Sequence, residues 1–139
     1  MGVATVAVLF TDLVDSTETA ERLGPSGAEQ ARRNHFDLMR KVLTVHTGTE
    51  IKTTGDGLML VFQSPSDAVA CASAMQYANR RLGNSTETKP GMRIGIAFGE
   101  ATEDAGDWYG MPVVRAARLC AAAAPGEILV DQFVSALAD

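Results

Sequence analysis

Cysteine is scarce: Cys71 and Cys120 are the two thiols among 139 residues. Both fall in alanine-rich stretches without metal-ligand spacing, which speaks against zinc chemistry or a disulfide framework and suits reduced, buried thiols. Histidine is equally sparse. His35 and His46 have no partner at ligand spacing, so each is expected to be a surface or hydrogen-bonded side chain rather than a ligand. Basic residues are outnumbered, 12 Lys and Arg against 17 Asp and Glu, for a net charge of −5. That balance argues against nonspecific binding to nucleic acid or to an anionic membrane, yet it leaves room for a local phosphate pocket. No apolar run approaches membrane-spanning length and the start has no signal-peptide pattern, so a cytoplasmic protein is expected.

What the chain does have is a hydrophobic content of 46%, enough for one packed domain over residues 1–139 without metal or disulfide staples. Residues 50–62, EIKTTGDGLMLVF, read as a β-hairpin. Ile51, Thr53 and Thr54 favour extended backbone, residues 58–62 are apolar and β-prone, and Asp56-Gly57 is a strong two-residue turn signal with Gly55 adding freedom. The turn would present the Asp56 carboxylate at an exposed tip. Residues 3–10, VATVAVLF, form a continuous apolar run suited to a central strand covered on both faces. The strand is expected to end as Asp12 emerges, with Asp15, Ser16 and Thr17 capping a following helix whose first amides are open to an anion.

Gly24-Pro25-Ser26-Gly27 should interrupt that helix, and a longer one is expected from Ala28 to about His46. Ser64-Pro65-Ser66-Asp67 marks the start of another, with Gly83 as its stop and a polar loop over residues 84–91. Met92, Ile94, Ile96 and Phe98 alternate with Arg93 in a strand pattern, which turns Arg93 away from the Met92 side. Residues 100–107 suggest a loop or protruding hairpin, followed by a helix over residues 112–124, a short strand over 128–130 and a terminal helix over 132–137.

This order contains the βαββαβ core of a ferredoxin-like α+β sheet with helices on one face, the other face or the arm being available as a dimer surface. Such a core sets the Asp12 and Asp56 strand ends side by side. Two hard carboxylates with few other protein donors suit Mg²⁺ or Mn²⁺ carried in with substrate phosphates, and so a nucleotide site.

Four segments, FTDLVDST, EIKTTGDGLMLVF, MRIGIAFGE and DWYGMPVVRAARL, resemble in order the motifs of class III adenylyl and guanylyl cyclase catalytic domains, with AARL closest to bacterial members of actinobacterial type. The resemblance runs over residues 3–130. It implies the class III cyclase fold with a protruding arm, and two metal ions per site held by Asp12, Asp56 and the backbone carbonyl of Leu13. It implies phosphate binding by Thr17 and its preceding amides and by Arg93. It assigns the adenine edge to Lys52, which only donates, and Asp107, which accepts from the amino group. It assigns Arg118 to the reacting α-phosphate.

Two departures accompany these correspondences. Val114 occupies the position of the family's ribose-orienting asparagine, and loss of one such polar contact is worth roughly 10²- to 10³-fold in rate. The family's C-terminal strand pair, with a phosphate-binding lysine, has no counterpart in the sequence. The resemblance further implies ATP rather than GTP as substrate and a head-to-tail homodimer, with Asp12, Asp56 and Arg93 from one chain and Lys52, Asp107 and Arg118 from the other. The alternative is a non-catalytic cyclase-like module that binds nucleotide or regulates a partner. A diguanylate cyclase would want an acidic pair after its Gly-Gly turn, which TGDGLM does not supply.

Overall fold

The computed structural model describes residues 2–14, 16–81 and 91–138, with the side chains of Ser16, Thr17 and Thr19 excepted. The expected Asp15 cap, the Thr17 side chain, the Gly83 helix stop and most of the loop after it lie outside the described residues. The chain runs β1 (Gly2–Val14), α1 (Ser16–Leu43), β2 (Thr49–Thr54), β3 (Gly57–Phe62), α2 (Pro65–Arg81), β4 (Gly91–Asp104), β5 (Asp107–Tyr109), α3 (Met111–Ala122), β6 (Ile128–Val130) and α4 (Gln132–Leu137). One sheet holds all of the described strands in the order β2-β3-β1-β4-β5, with β6 parallel to β4. Its first four members form the ferredoxin-like βαββαβ core.

The apolar run of β1 becomes central because both neighbours need it. β1 pairs antiparallel with β3 through Ala7↔Phe62 to Phe10↔Met59, and with β4 along its entire length. That second pairing carries the strand past its expected end at Phe10 to Val14. Asp12 is therefore a strand residue opposite Arg93, not the first residue beyond the strand. β4 likewise continues beyond Phe98 to Asp104. There Ala105 (φ 53°) and Gly106 (φ 84°) make a two-residue turn into β5, so the protruding segment is a hairpin.

Alternation along the strands divides the core into two layers. Ala7, Leu9, Leu58, Leu60, Ile94 and Ile96 face α1, α2 and α4, meeting Phe36, Met39, Met75 and Val134. Val6, Val8, Met59, Val61 and Ala97 face the other way, against Ala116 of α3. The helices of the βαββαβ core thus share one face as expected, but the opposite face is not open throughout. Gly95, where any Cβ would collide with the α3 backbone, lets that helix lie close across β4. Gly24 (φ 77°, ψ 171°) kinks α1 where the sequence predicts a break, and the helix resumes from Pro25 to Leu43. Among the described helices none is long and apolar enough to cross a membrane.

Candidate active site

The end of β1 that carries Asp12 meets the turn that carries Asp56 through a close approach of backbone. Thr54 pairs with Gly57, so the two residues of the β2–β3 turn are Gly55 and Asp56, one position earlier than the Asp-Gly signal predicts. Gly55 takes the positive φ of 65°, a conformation that disfavours any side chain. Gly57 serves a different purpose. A Cβ there would collide with the Thr11 carbonyl oxygen and stand 3.3 Å from the Asp12 Cα. The buried Thr11 hydroxyl accepts from the Leu58 amide at 3.0 Å and locks this register. Asp12 thus stands beside the turn that carries Asp56, each side chain about one-third exposed (33% and 34%).

Each carboxylate has an arginine partner. Nε and Nη2 of Arg93 both donate to Asp12 Oδ2, at 3.2 and 2.8 Å, while Nη1 donates to the Ala121 carbonyl of α3 at 3.0 Å. Arg93 points away from the Met92 side, as the alternation predicts, and on the face covered by α3. Arg32 of α1 lies 3.7 Å from Asp56 Oδ1 and donates to the Gly55 carbonyl at 3.0 Å. Leu13, the expected source of a backbone metal contact, follows Asp12 in β1 opposite Met92. Among the described residues no group of three or more His, Cys, Asp or Glu gathers. Two accessible carboxylates suit a hard divalent ion that completes its shell with phosphate and water.

Lys52 and Asp107 stand on β2 and β5, at opposite ends of the strand order, yet Lys52 Nζ donates to Asp107 Oδ2 at 2.8 Å. The β4–β5 hairpin brings Trp108 against the same apolar layer as Ile51, and the aspartate follows. The Lys52 hydrogen bond first, and then one from the Trp108 amide, hold the Asp107 carboxyl below its usual range. An exposed pair of this kind stabilises a fold by about 0–1 kcal/mol, so its energy does not explain its placement.

Val114 and Arg118 lie one helical turn apart on α3, and both are exposed. Among the described residues Arg118 makes no ion pair. Arg115 turns inward, donating to Asp131 Oδ2 and to the Phe98 carbonyl at 3.2 Å each. It therefore supplies no polar group at the Val114 position.

His35 departs from expectation. It is buried, and its Nε2 has no hydrogen-bond partner; burial pushes the imidazole down to about 4, with the Asp56 charge pulling the other way. Both cysteines are free and buried, and burial raises their thiols to about 12 (Cys71) and about 11 (Cys120), so neither is a nucleophile at neutral pH. Thr11 and Arg32 escaped the sequence reading. The Thr of FTD precedes an expected site residue, but nothing distinguishes Arg32 from its helical neighbours.

Comparison with known proteins places the fold in a family. The sequence profile of the adenylate and guanylate cyclase catalytic domain matches residues 2–139. A pH-sensitive adenylate cyclase of Mycobacterium tuberculosis is 33% identical over 139 residues, covering 99% of this chain and 34% of that protein. An adenylate cyclase of Glutamicibacter nicotianae is 30% identical over 125 residues, covering 90% of this chain and 30% of that one. The chain thus spans about a third of the length of these curated relatives. The crystal structure of the guanylyl cyclase Cya2 superposes with a TM-score of 0.87 at 25% identity, covering 99% of this chain and 80% of that one. The chain belongs to the family of adenylate and guanylate cyclase catalytic domains.

Proposed function

We propose that this domain converts ATP to 3′,5′-cyclic AMP and pyrophosphate at a site shared between two copies of the chain. The observation that carries the reading is the Lys52–Asp107 pair, which unites at 2.8 Å two residues 55 positions apart. Adenine presents a ring-nitrogen acceptor beside an amino donor. Lys52 donates to the first and Asp107 accepts from the second, which favours ATP over GTP. Relatives named as adenylate cyclases support the same choice.

Asp12, Asp56 and the Leu13 carbonyl would hold Mg²⁺ or Mn²⁺, two per site. When bound, these ions acidify the ribose 3′ hydroxyl and neutralise phosphate charge. The 3′ hydroxyl gives its proton to solvent as its oxygen attacks the α-phosphorus and the bond to pyrophosphate breaks, so no protein nucleophile is needed. Arg93 can exchange its Asp12 partner for triphosphate oxygens, and Thr17 with the amides before it would receive the chain of phosphates. Arg118 offsets charge that develops on the α-phosphate. In a head-to-tail homodimer the exposed α3 face of one copy would serve the aspartate end of the other, leaving a monomer inactive.

A second reading, a non-catalytic nucleotide-binding or regulatory module, draws on Val114. This apolar side chain is 38% exposed where a polar contact to ribose is expected, and Arg115 is engaged elsewhere. An assay for cyclic nucleotide with ATP or GTP and Mn²⁺ or Mg²⁺ distinguishes the two. The catalytic reading predicts Mn²⁺-dependent cyclic AMP, raised in Val114→Asn by roughly 10²- to 10³-fold. No cyclic AMP from either protein at high concentration would overturn it.

A further inference from the structure

The aspartate end has a contact residue that lies outside the four sequence motifs. Arg32, Phe36 and Arg40 recur at every fourth position on α1, and both guanidinium groups lie over the buried Phe36 ring, at 4.7 and 5.4 Å from its centroid. Each arginine then reaches one end of β2. Arg40 makes two 2.9 Å hydrogen bonds to Glu50, near the start of the strand, and Arg32 donates at 3.0 Å to the Gly55 carbonyl, just past its finish. Eight helical residues rise about 12 Å and five strand residues about 16 Å, a difference of about 4 Å that two long arginine side chains take up. α1 is a clasp on the hairpin.

The contact at the turn is specific in its geometry. Arg32 bonds to the carbonyl of the peptide that leads into Asp56, and its guanidinium stays 3.7 Å from Asp56 Oδ1, beyond hydrogen-bonding distance. It thus orients the peptide from which the Asp56 side chain hangs while leaving the carboxylate oxygens open to another partner. Gly55, with φ 65° and no atom near its Cβ position, has no packing of its own to hold it. The Thr54–Gly57 pairing holds the base of the turn, and Arg32 adds a contact at its tip through the Gly55 carbonyl.

We propose that Arg32 is a positioning residue for divalent-metal binding, acting through the Gly55–Asp56 turn; this rests on Asp56 being a metal ligand. Groups that orient a ligating carboxylate typically change metal affinity by 10- to 100-fold when removed. The opposing effect, repulsion between the guanidinium and the ion, is reduced by the high local dielectric around an Arg32 side chain that is 39% exposed.

The experiment is a Mn²⁺ titration of the full chain followed by electron paramagnetic resonance at physiological salt, with 3′-deoxy-ATP present so that no reaction occurs. Arg32→Ala should weaken Mn²⁺ binding by about 10- to 100-fold, and Arg32→Lys, which can still donate to one carbonyl, should recover most of it. Arg40→Ala, which releases the other end of the hairpin, should change it by less than about threefold. Hydrogen exchange should speed up in Arg32→Ala across residues 54–57. Unchanged or tighter Mn²⁺ binding in Arg32→Ala, or equal losses in Arg32→Ala and Arg40→Ala, would overturn the inference alone. Failure of the unsubstituted protein to bind Mn²⁺ would overturn the metal reading and this inference together.

Discussion

The aspartate end of the site and the α3 strip differ in how far one chain finishes them. At the aspartate end, Thr11, Gly57, Arg93 and Arg32 fix two carboxylates through a hydroxyl, a close backbone approach and two ion pairs. On α3, Val114 and Arg118 stand exposed, and Arg115 between them is engaged in holding the helix to Asp131 and Phe98. A preorganised half beside an exposed half is the arrangement expected when a second copy completes the site. Contacts concentrate around the two aspartates, and exposure around Val114 and Arg118.

If the aspartate end depends on backbone proximity, crowding it should do the most damage. Gly57→Ala is expected to destabilise the fold by about 3 kcal/mol or more, because backbone of β1 must move. Gly55→Ala meets no neighbouring atom and should cost only the left-handed conformation, about 1–2 kcal/mol. Urea unfolding of both variants measures the difference, and equal effects would break the argument.

The second test is pH. His35 is neutral in the fold with its imidazole near 4, whereas the unfolded chain takes up a proton below about 6.5. Its contribution is therefore complete above 6.5 and lost as pH falls towards 4, about 3 kcal/mol in all. His35→Leu should remove that part of the acid sensitivity, seen in unfolding midpoints at pH 7 and 4.5.

The smallest effect belongs to the other end of the hairpin. The Arg40 hydrogen bond holds the Glu50 carboxyl below its usual range, so the pair stabilises above pH 4.5 and fades as pH falls through the lowered value. The side chains are 43% and 28% exposed, and solvent screening keeps the contribution near or below about 1 kcal/mol. Glu50→Gln should lower stability by that amount at pH 7 and by less in acid.

The parts of this molecule legible in the sequence were those set by local pattern. The apolar run of β1, the hairpin, the kink at Gly24 and the spans of β6 and α4 all follow from periodicity and turn chemistry. The turn shifted by one residue because Gly55-Asp56 and Asp56-Gly57 are both acceptable turn pairs. Only the collision that any side chain at 57 would make with Thr11 selects between them. β1 outran its apolar segment because β4 pairs with it as far as Val14, and pairing, not composition, decides where a strand stops. Lys52 and Asp107 were assigned to one end of the site by family resemblance, and their direct contact was not legible, since no local signal links residues on strands at opposite ends of the sheet. Arg32 was invisible for the opposite reason: arginines on a helix face are common, and its meaning lies in one carbonyl across the fold.

The most direct test of the shared site is complementation in the Val114→Asn background. Asp56→Ala removes the aspartate end and Arg118→Ala the α3 end, so each protein alone should make no cyclic AMP. Mixed in equal amounts, random pairing gives half of the dimers one intact site, and activity should return to about a quarter of the parent value. A mixture no more active than its components, while the parent is active, would contradict a site built from two chains.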